Sequence, residues 1–186
     1  MIAWESDMAK ALARGKAEQK SVLLEFFSPE CIGCKQMEEV TFADPAVINF
    51  ISDHMVALRA PVSNASLVSG YQVSWTPTLL VVDYYGREHQ RTVGFLPPDE
   101  IVGSLLLGMG KVSLDYGQFS EAVIQFNTLL NGCPECAFAP EAVYLRGVAR
   151  YKSSHAPAAL KEIHQQLSAQ YPQSDWTKRA QPFTLL

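Results

Sequence analysis

Two cysteines separated by two residues, Cys31 and Cys34, are the side chains best suited to do chemistry in this chain. They follow an apolar run, residues 22–27, that predicts a buried strand, and they stand where the next helix should begin. Positions i and i+3 share a helix face, so both sulfurs should lie together. The unsatisfied N–H groups of a first helical turn favour a thiolate at Cys31. Such a thiolate attacks disulfides, and Cys34 is close enough to resolve the mixed disulfide that forms.

The same spacing also occurs in zinc sites and in incidental cysteine pairs, so alone it is a weak signal. A second signal is Thr76-Pro77-Thr78, which stands at the start of another apolar run, residues 78–82. Proline removes a donor from the strand ladder and therefore belongs at a strand's entry. On frequency alone, the Thr76–Pro77 bond would be trans. Strand, cysteine pair and Thr-Pro-Thr together favour a redox dithiol.

These features resemble the thioredoxin superfamily over roughly residues 1–108. The most similar members are small thioredoxin-like domains with the signature CxxCKxME…TFxDPxV, including the C-terminal domain of transmembrane disulfide reductases. Here the signature is Cys31-Ile-Gly-Cys-Lys-Gln-Met-Glu38, then Thr41-Phe-Ala-Asp-Pro-Ala-Val47. The resemblance implies that Cys31 is the nucleophile, Cys34 the resolving thiol and Pro77 a cis-proline beside them.

The resemblance also implies three further site residues, and a fourth candidate, Trp75, comes from its place just before Thr76. Glu25 stands where the family has a buried aspartate that accepts a proton, and we expect burial to raise its pKa. The Thr76 backbone would pair with an extended substrate strand, and Gly94 would let the substrate backbone approach. Trp75 would line the substrate groove, although packing in the core is an equally good interpretation.

Three positions depart from the family pattern. Glu30 replaces the usual tryptophan before the first cysteine, and its carboxylate should weakly oppose a neighbouring thiolate. Ile32-Gly33 replaces the Gly-Pro dipeptide between the cysteines. Leu58 stands at about the position of the buried lysine of thioredoxins proper, so that cation is missing from the sequence pattern.

Composition limits the remaining possibilities. The chain has 186 residues, 48% of them hydrophobic and 18% charged, which is typical of a globular protein. A net charge of −4 without a Lys/Arg cluster argues against nucleic acid as a partner. No apolar run approaches the roughly 20 residues of a membrane-spanning helix, so no membrane insertion is expected. The N-terminus lacks signal-peptide features. We therefore expect a cytoplasmic protein, or a periplasmic or extracytoplasmic one if a leader was removed.

The order of predicted elements gives an α/β, thioredoxin-like fold over residues 1–109. Ser6 is the expected N-cap of a first helix that runs to about Gln19. Asp44-Pro45 should begin another helix, and Pro98 should open a helix that ends near Gly108.

Residues 110–186 show a helical period throughout, which predicts an all-α extension built of helical hairpins. Its first half, from Tyr116 to Pro134, resembles half of a tetratricopeptide repeat, and a degenerate echo runs from Gly147 to Pro172. A generic helical hairpin is the alternative.

A second pair, Cys133 and Cys136, falls in the predicted loop between two of these helices. A local disulfide or two inactive thiols is the simplest interpretation. The alternatives are a second redox pair that exchanges with Cys31 and Cys34, or a four-thiolate zinc site across both pairs. No histidine has a spacing to acids or cysteines that suggests a metal ligand, so no metal is predicted.

The leading functional prediction is a thiol-disulfide oxidoreductase whose helical segment docks partners. The partners would be disulfide- or thiol-containing proteins and an upstream reductase or oxidant. No cofactor is expected beyond the redox-active Cys31–Cys34 disulfide. The alternatives are a helical-repeat adaptor and a redox sensor with little turnover. The direction of exchange and the oligomeric state stay open.

Overall fold

The computed structural model describes all residues, 1–186, and divides into two compact units, Met1–Gly108 and Met109–Leu186. The first unit is built on a five-stranded sheet with the strand order β1-β3-β2-β4-β5. The strands are β1 (Trp4–Glu5), β2 (Ser21–Phe27), β3 (Met55–Pro61), β4 (Thr78–Val82) and β5 (Glu88–Val93). β3 is parallel to β1 and β2, whereas β4 is antiparallel to β2 and β5. β2 is therefore the central strand of the sheet.

Helices connect all of these strands except β4 and β5, which follow one another directly, and this order fits the α/β prediction. They are α1 (Met8–Glu18), α2 (Ile32–Gln36), α3 (Pro45–His54), α4 (Ala65–Gly70) and α5 (Pro98–Asp115). A π-helical turn, Met37–Thr41, continues α2 and was not predicted. Asp44 caps α3 as expected, because its carboxylate accepts the N–H groups of Ala46 and Val47.

β2 carries different chemistry on its two faces, because side chains alternate along a strand. Val22, Leu24 and Phe26 are fully buried on one face. They pack in an apolar cluster with residues of β3 and β4, among them Leu58 and Leu80. Glu25 therefore projects to the opposite face. This alternation separates an acid from the apolar cluster within a single central strand.

The first helix begins one residue later than predicted. Asp7, not Ser6, is the N-cap of α1, and its carboxylate accepts the N–H of Lys10 at 2.8 Å. The two-residue strand β1 before it was not predicted either. It pairs Trp4 with Ala57, and so short a strand leaves no alternating pattern to recognise.

The prediction that a helix ends near Gly108 is wrong, because α5 continues to Asp115. Its two late glycines permit close packing. A Cβ at Gly108 would clash with the Val81 side chain, and one at Gly110 would clash with the ring of Phe126. The glycines are therefore compatible with a continuous helix and do not mark its end.

The second unit is all-α, as predicted. After the end of α5 it contains α6 (Phe119–Gly132), α7 (Ala139–Ser154), α8 (Ala158–Gln170), α9 (Asp175–Arg179) and a final 3-10 turn, Gln181–Leu185. α7 packs against both α6 and α8. The resemblance of this unit to tetratricopeptide repeats stays a prediction. No helix of the chain combines the length and the apolar character needed to cross a bilayer.

Candidate active site

Cys31 is the N-cap of α2, so its sulfur takes the place usually filled by a serine or aspartate oxygen. The Cys34 N–H donates to Cys31 Sγ at 3.1 Å, and the backbone of Cys31 is extended as an N-cap requires. The sulfur is partly exposed, whereas Cys34 is only 2% exposed. Both cysteines are thiols in this structure. The N-terminal sulfur of the pair is thus the accessible one and the one that faces a backbone donor.

The two thiols have opposite pKa shifts. Burial opposes ionisation of Cys31, but hydrogen bonds from the Cys34 and Thr76 side chains and from nearby backbone N–H groups outweigh it, so its pKa is lowered. Burial raises the pKa of Cys34 to about 11, and its hydrogen bond with Cys31 acts in the same direction. The pair therefore combines a nucleophile that ionises readily with a second thiol that holds its proton.

The Thr76–Pro77 bond is cis, and it lies beside the dithiol. The Cys31 thiol donates to the Thr76 carbonyl at 3.3 Å. The Pro77 carbonyl accepts the N–H of Gly94 at 2.8 Å, and Gly94 has a positive φ of 98°. A Cβ at Gly94 would meet no atom within 4 Å. The backbone conformation, and not crowding, is therefore what favours glycine there.

A groove of about 650 Å³ opens over Cys31. Its apolar side chains come from five different stretches of the chain, which brings together Ile32, Val62, Val68, Val73, Trp75 and Phe95. Trp75 is 69% exposed, so it is a groove residue and not part of the core. Thr76, Pro77 and Gly94 also line the groove. Every substrate-binding residue expected from the sequence is therefore found around the same sulfur.

Glu25 is completely buried, and burial raises its pKa to about 7. The neighbouring Arg59 acts in the opposite direction, since its Nε lies 2.8 Å from Glu25 Oε2. The two atoms are close, yet neither carboxylate oxygen of Glu25 has a well-aligned hydrogen-bond partner in the protein. The contact is thus mainly electrostatic, and it leaves the carboxyl able to take up or release a proton near neutral pH.

Arg59 is the cation that the sequence pattern lacked. It stands on β3 directly opposite Glu25 in the parallel register of β2 and β3, one residue after Leu58. The guanidinium lies 4.4 Å from the centre of the Phe27 ring and contacts Glu38 at 3.4 Å. The sequence contained a signal for this pairing. Arg59 is the only charged residue in the apolar run 55–60, and Glu25 is the only charged residue in the apolar run 22–27.

The second pair has a different backbone setting. Cys133 is the C-cap of α6, and its N–H donates to the Leu129 carbonyl. The Cys136 thiol donates to the Cys133 carbonyl at 2.9 Å, and Cys136 is 7% exposed. Both are thiols. The Cys136 thiol is therefore buried against the backbone of its own loop, whereas Cys31 opens onto the groove.

One histidine does pair with an acid, which the sequence spacing did not suggest. His89 Nε2 lies 3.1 Å from Asp83 Oδ2, and both side chains are buried near the β4–β5 turn. Burial opposes ionisation of Asp83, but its hydrogen bonds to His89, to Arg87 and to backbone N–H groups lower its pKa to about 2. These contacts join the two ends of the β4–β5 turn. They satisfy the buried Asp83 carboxylate, so its burial requires no catalytic role.

The comparison with known protein families matches the first of the two compact units, Met1–Gly108. The model of the thioredoxin-like domain family matches residues 8–106, which include both active-site cysteines and Pro77. The chain belongs to the thioredoxin-like domain family. The thioredoxin-like fold predicted from the cysteine motif is thereby confirmed.

The relatives are thiol:disulfide interchange proteins. DsbD of Salmonella typhi is 34% identical over 102 residues, which cover 51% of this chain and 18% of that protein. DsbD of Escherichia coli K12 is 34% identical over 88 residues, 44% of this chain and 15% of that protein. The chain therefore spans less than a fifth of the curated relatives it matches.

A thioredoxin from Thermus thermophilus is similar in structure. Its solution structure is 28% identical with a TM-score of 0.51, over 56% of this chain and 84% of that chain. The likeness thus extends over most of that thioredoxin and about half of this protein.

Proposed function

We propose that this protein is a thiol-disulfide oxidoreductase that acts on disulfide- or thiol-containing partner proteins through Cys31 and Cys34. The observation that carries the proposal is the accessible Cys31 sulfur, which accepts the Cys34 N–H at 3.1 Å at the floor of an open groove. The redox group is the cysteine pair itself, so the reaction requires no further cofactor. An upstream reductase or oxidant returns the pair to its starting state.

In the reducing direction, the Cys31 thiolate attacks one sulfur of a partner disulfide. A bond forms between Cys31 and that sulfur, the partner's S–S bond breaks, and the other partner sulfur leaves as a thiolate. Hydrogen-bond donors around Cys31 support this step because they increase the thiolate fraction at neutral pH.

The second step requires Cys34 to lose its proton. Its thiolate then attacks Cys31, which forms the Cys31–Cys34 disulfide and releases the reduced partner, so that two electrons have passed to the partner. A pKa of about 11 makes this thiol a poor nucleophile unless a base helps. Glu25, with a pKa of about 7, has a suitable affinity for the proton and is the acceptor we infer, directly or through water.

The helical unit, residues 109–186, docks the partner in this proposal. The family match ends at residue 106, so the exchange chemistry does not account for these residues. These residues form a compact unit with a core of their own, which includes Val143, Ile163, Leu167 and Ala180, so the chain has a second body that could contact a partner.

A trapping experiment tests the proposal. Cys34→Ser should accumulate a mixed disulfide between Cys31 and partner proteins, because the resolving thiol is gone, and Cys31→Ser should accumulate none. Mass spectrometry of the trapped species identifies both the partner and the attacking cysteine. Hydrogen exchange in the trapped complex then tests docking, which predicts protection within residues 109–186. Trapping through Cys34 in the Cys31→Ser variant would refute the assigned roles.

A further inference from the structure

The groove above Cys31 has a single formally charged side chain. Among the residues that line it, Glu30 is the only Asp, Glu, Lys, Arg or His. Glu30 immediately precedes Cys31 and lines the same groove, so a partner segment bound over Cys31 would pass close to Glu30. A lone charge at the mouth of an uncharged groove discriminates between partners of opposite charge.

Glu30 is held in its ionised form. The Ser28 hydroxyl donates to Glu30 Oε2 at 2.7 Å, and this hydrogen bond is the main cause of the lowered pKa of the carboxyl. Lys35 favours the ionised form as well, although it does not line the groove. The carboxylate is fully exposed, so any ion pair that it makes will be weak and sensitive to salt.

Most of the other large side chains that line the groove are apolar, and two of them are well exposed. Ile32 is 81% exposed and Trp75 is 69% exposed, and both line the groove with Cys31. Large apolar side chains grouped at one exposed site mark a surface that contacts a partner. A segment bound there would contact apolar side chains along most of its length and the Glu30 carboxylate at one point.

We propose that Glu30 determines partner specificity: it selects protein segments that carry a lysine or arginine next to the cysteine attacked by Cys31, and it disfavours acidic ones. The inference rests on the proposed oxidoreductase function and adds to it the charge of the preferred partner. Attraction between opposite charges accelerates the encounter, and an acidic neighbour would meet a like charge with no cation in the groove to offset it.

Three synthetic peptides test this specificity. They share one sequence, with apolar residues on one side of a single cysteine and lysine, glutamine or glutamate on the other. Each cysteine is joined by a disulfide to a coloured aromatic thiol. When Cys31 attacks the peptide sulfur, a Cys31–peptide disulfide forms and the aromatic thiolate leaves, so its absorbance reports the rate. The reaction of each peptide with 2-mercaptoethanol corrects for its intrinsic reactivity, and Cys31→Ser gives the background from the other thiols.

With the reduced full-length protein, we expect the lysine peptide to react about two- to fivefold faster than the glutamate peptide, with glutamine between them. The difference should shrink at about 1 M salt, where charges are screened within about 3 Å. Glu30→Lys should reverse the order of the peptides. Glu39→Lys is the matched control, because Glu39 is exposed but does not line the groove, and it should preserve the wild-type order.

Equal corrected rates for the three peptides would overturn the inference, as would an unchanged order in Glu30→Lys. Both results would leave the oxidoreductase function intact, since Cys31 would still react. Failure of the oxidoreductase function looks different: none of the peptides, the neutral one included, would release its thiol faster than the Cys31→Ser background. That result would overturn the inference together with the function on which it rests.

Discussion

The two cysteine pairs of this chain have the same spacing and opposite relations to the backbone. Cys31 begins a helix, and its sulfur accepts a backbone N–H at 3.1 Å. Cys133 ends a helix, and its carbonyl accepts the thiol of Cys136 at 2.9 Å. Cys31 Sγ thus has a backbone donor in the Cys34 N–H as well as an acceptor in the Thr76 carbonyl, whereas the Cys136 thiol faces a backbone acceptor.

The difference shows that spacing alone does not make a reactive dithiol. Hydrogen-bond donors around a sulfur stabilise its thiolate, and they lower the pKa of Cys31. A thiol must also be reachable, and here Cys31 opens onto a groove while Cys136 is 7% exposed. We therefore assign the exchange chemistry to the first pair, and the following predictions can break or sharpen that assignment.

The largest expected difference is in catalytic activity, between a variant of the first pair and a variant that lacks the second. Cys31→Ser should abolish the reduction of insulin by dithiothreitol above background, because the attacking sulfur is lost. The double variant Cys133→Ser/Cys136→Ser should keep most of the activity and lose at most some stability. A fall of tenfold or more in the double variant, about 1.4 kcal/mol in the barrier, with circular dichroism unchanged, would give the second pair a role in the central chemistry.

The buried acid of β2, Glu25, should make stability depend on pH. The pKa of Glu25 is about 7 in the fold and about 4.3 in an unfolded chain. The acid is therefore protonated more readily when folded. Its contribution to stability is complete below pH 4.3, declines as pH rises towards 7 and is constant above that. The decline corresponds to roughly 3 to 4 kcal/mol.

Glu25→Gln removes this titration while it retains the size of the side chain. The variant should be more stable than wild type at pH 8, close to it at pH 4, and slower to release the trapped partner. Urea unfolding at both pH values measures the first effect. Equal slopes of stability against pH in the two proteins would show that Glu25 does not titrate in this range.

Arg59 lowers the pKa of Glu25, so its removal should raise that pKa further. Arg59→Gln should shift the decline in stability to higher pH, and NMR titration of the Glu25 carboxyl carbon reports the pKa directly. Glu18→Gln is a suitable control because Glu18 is on α1 and pairs with Arg14 instead. An unchanged or lowered Glu25 pKa in Arg59→Gln would contradict the electrostatic account of this ion pair.

The smallest effect concerns Glu30, the carboxylate that precedes Cys31. The second pair also has a neighbouring carboxylate, Glu135, which lies directly before Cys136. Glu30→Gln should lower the pKa of Cys31 slightly, since a nearby negative charge opposes a thiolate, but solvent weakens that effect. Alkylation of Cys31 as a function of pH measures the change. A raised pKa in the variant would show that Glu30 acts in some way other than through its charge.

The sequence predicted those features of the site that are determined by residues close by in the chain. The position of Cys31 before a helix and the capping of α3 by Asp44 are of this kind. Burial of Glu25 followed from the apolar residues on both sides of it. Each of these features depends on neighbours within a few residues.

Features that depend on distant contacts were missed. Arg59 faces Glu25 only because β2 and β3 pair in one particular register, which the sequence of either strand does not specify. Gly108 looked like a helix end, yet it lies where α5 must approach Val81 closely. The exposed position of Trp75 was equally undetermined, since its neighbours suit a groove and a core alike.

The most direct test of the central claim is the alkylation of all four cysteines in one reduced sample, followed by mass spectrometry from pH 5 to pH 11. The account predicts that Cys31 is modified fastest at pH 7, with a midpoint below that of an ordinary thiol because hydrogen bonds to its sulfur lower its pKa. Cys34 should resist until about pH 11, and Cys136 should react slowly because it is buried. Faster modification of Cys34, Cys133 or Cys136 than of Cys31 at pH 7 would contradict the account.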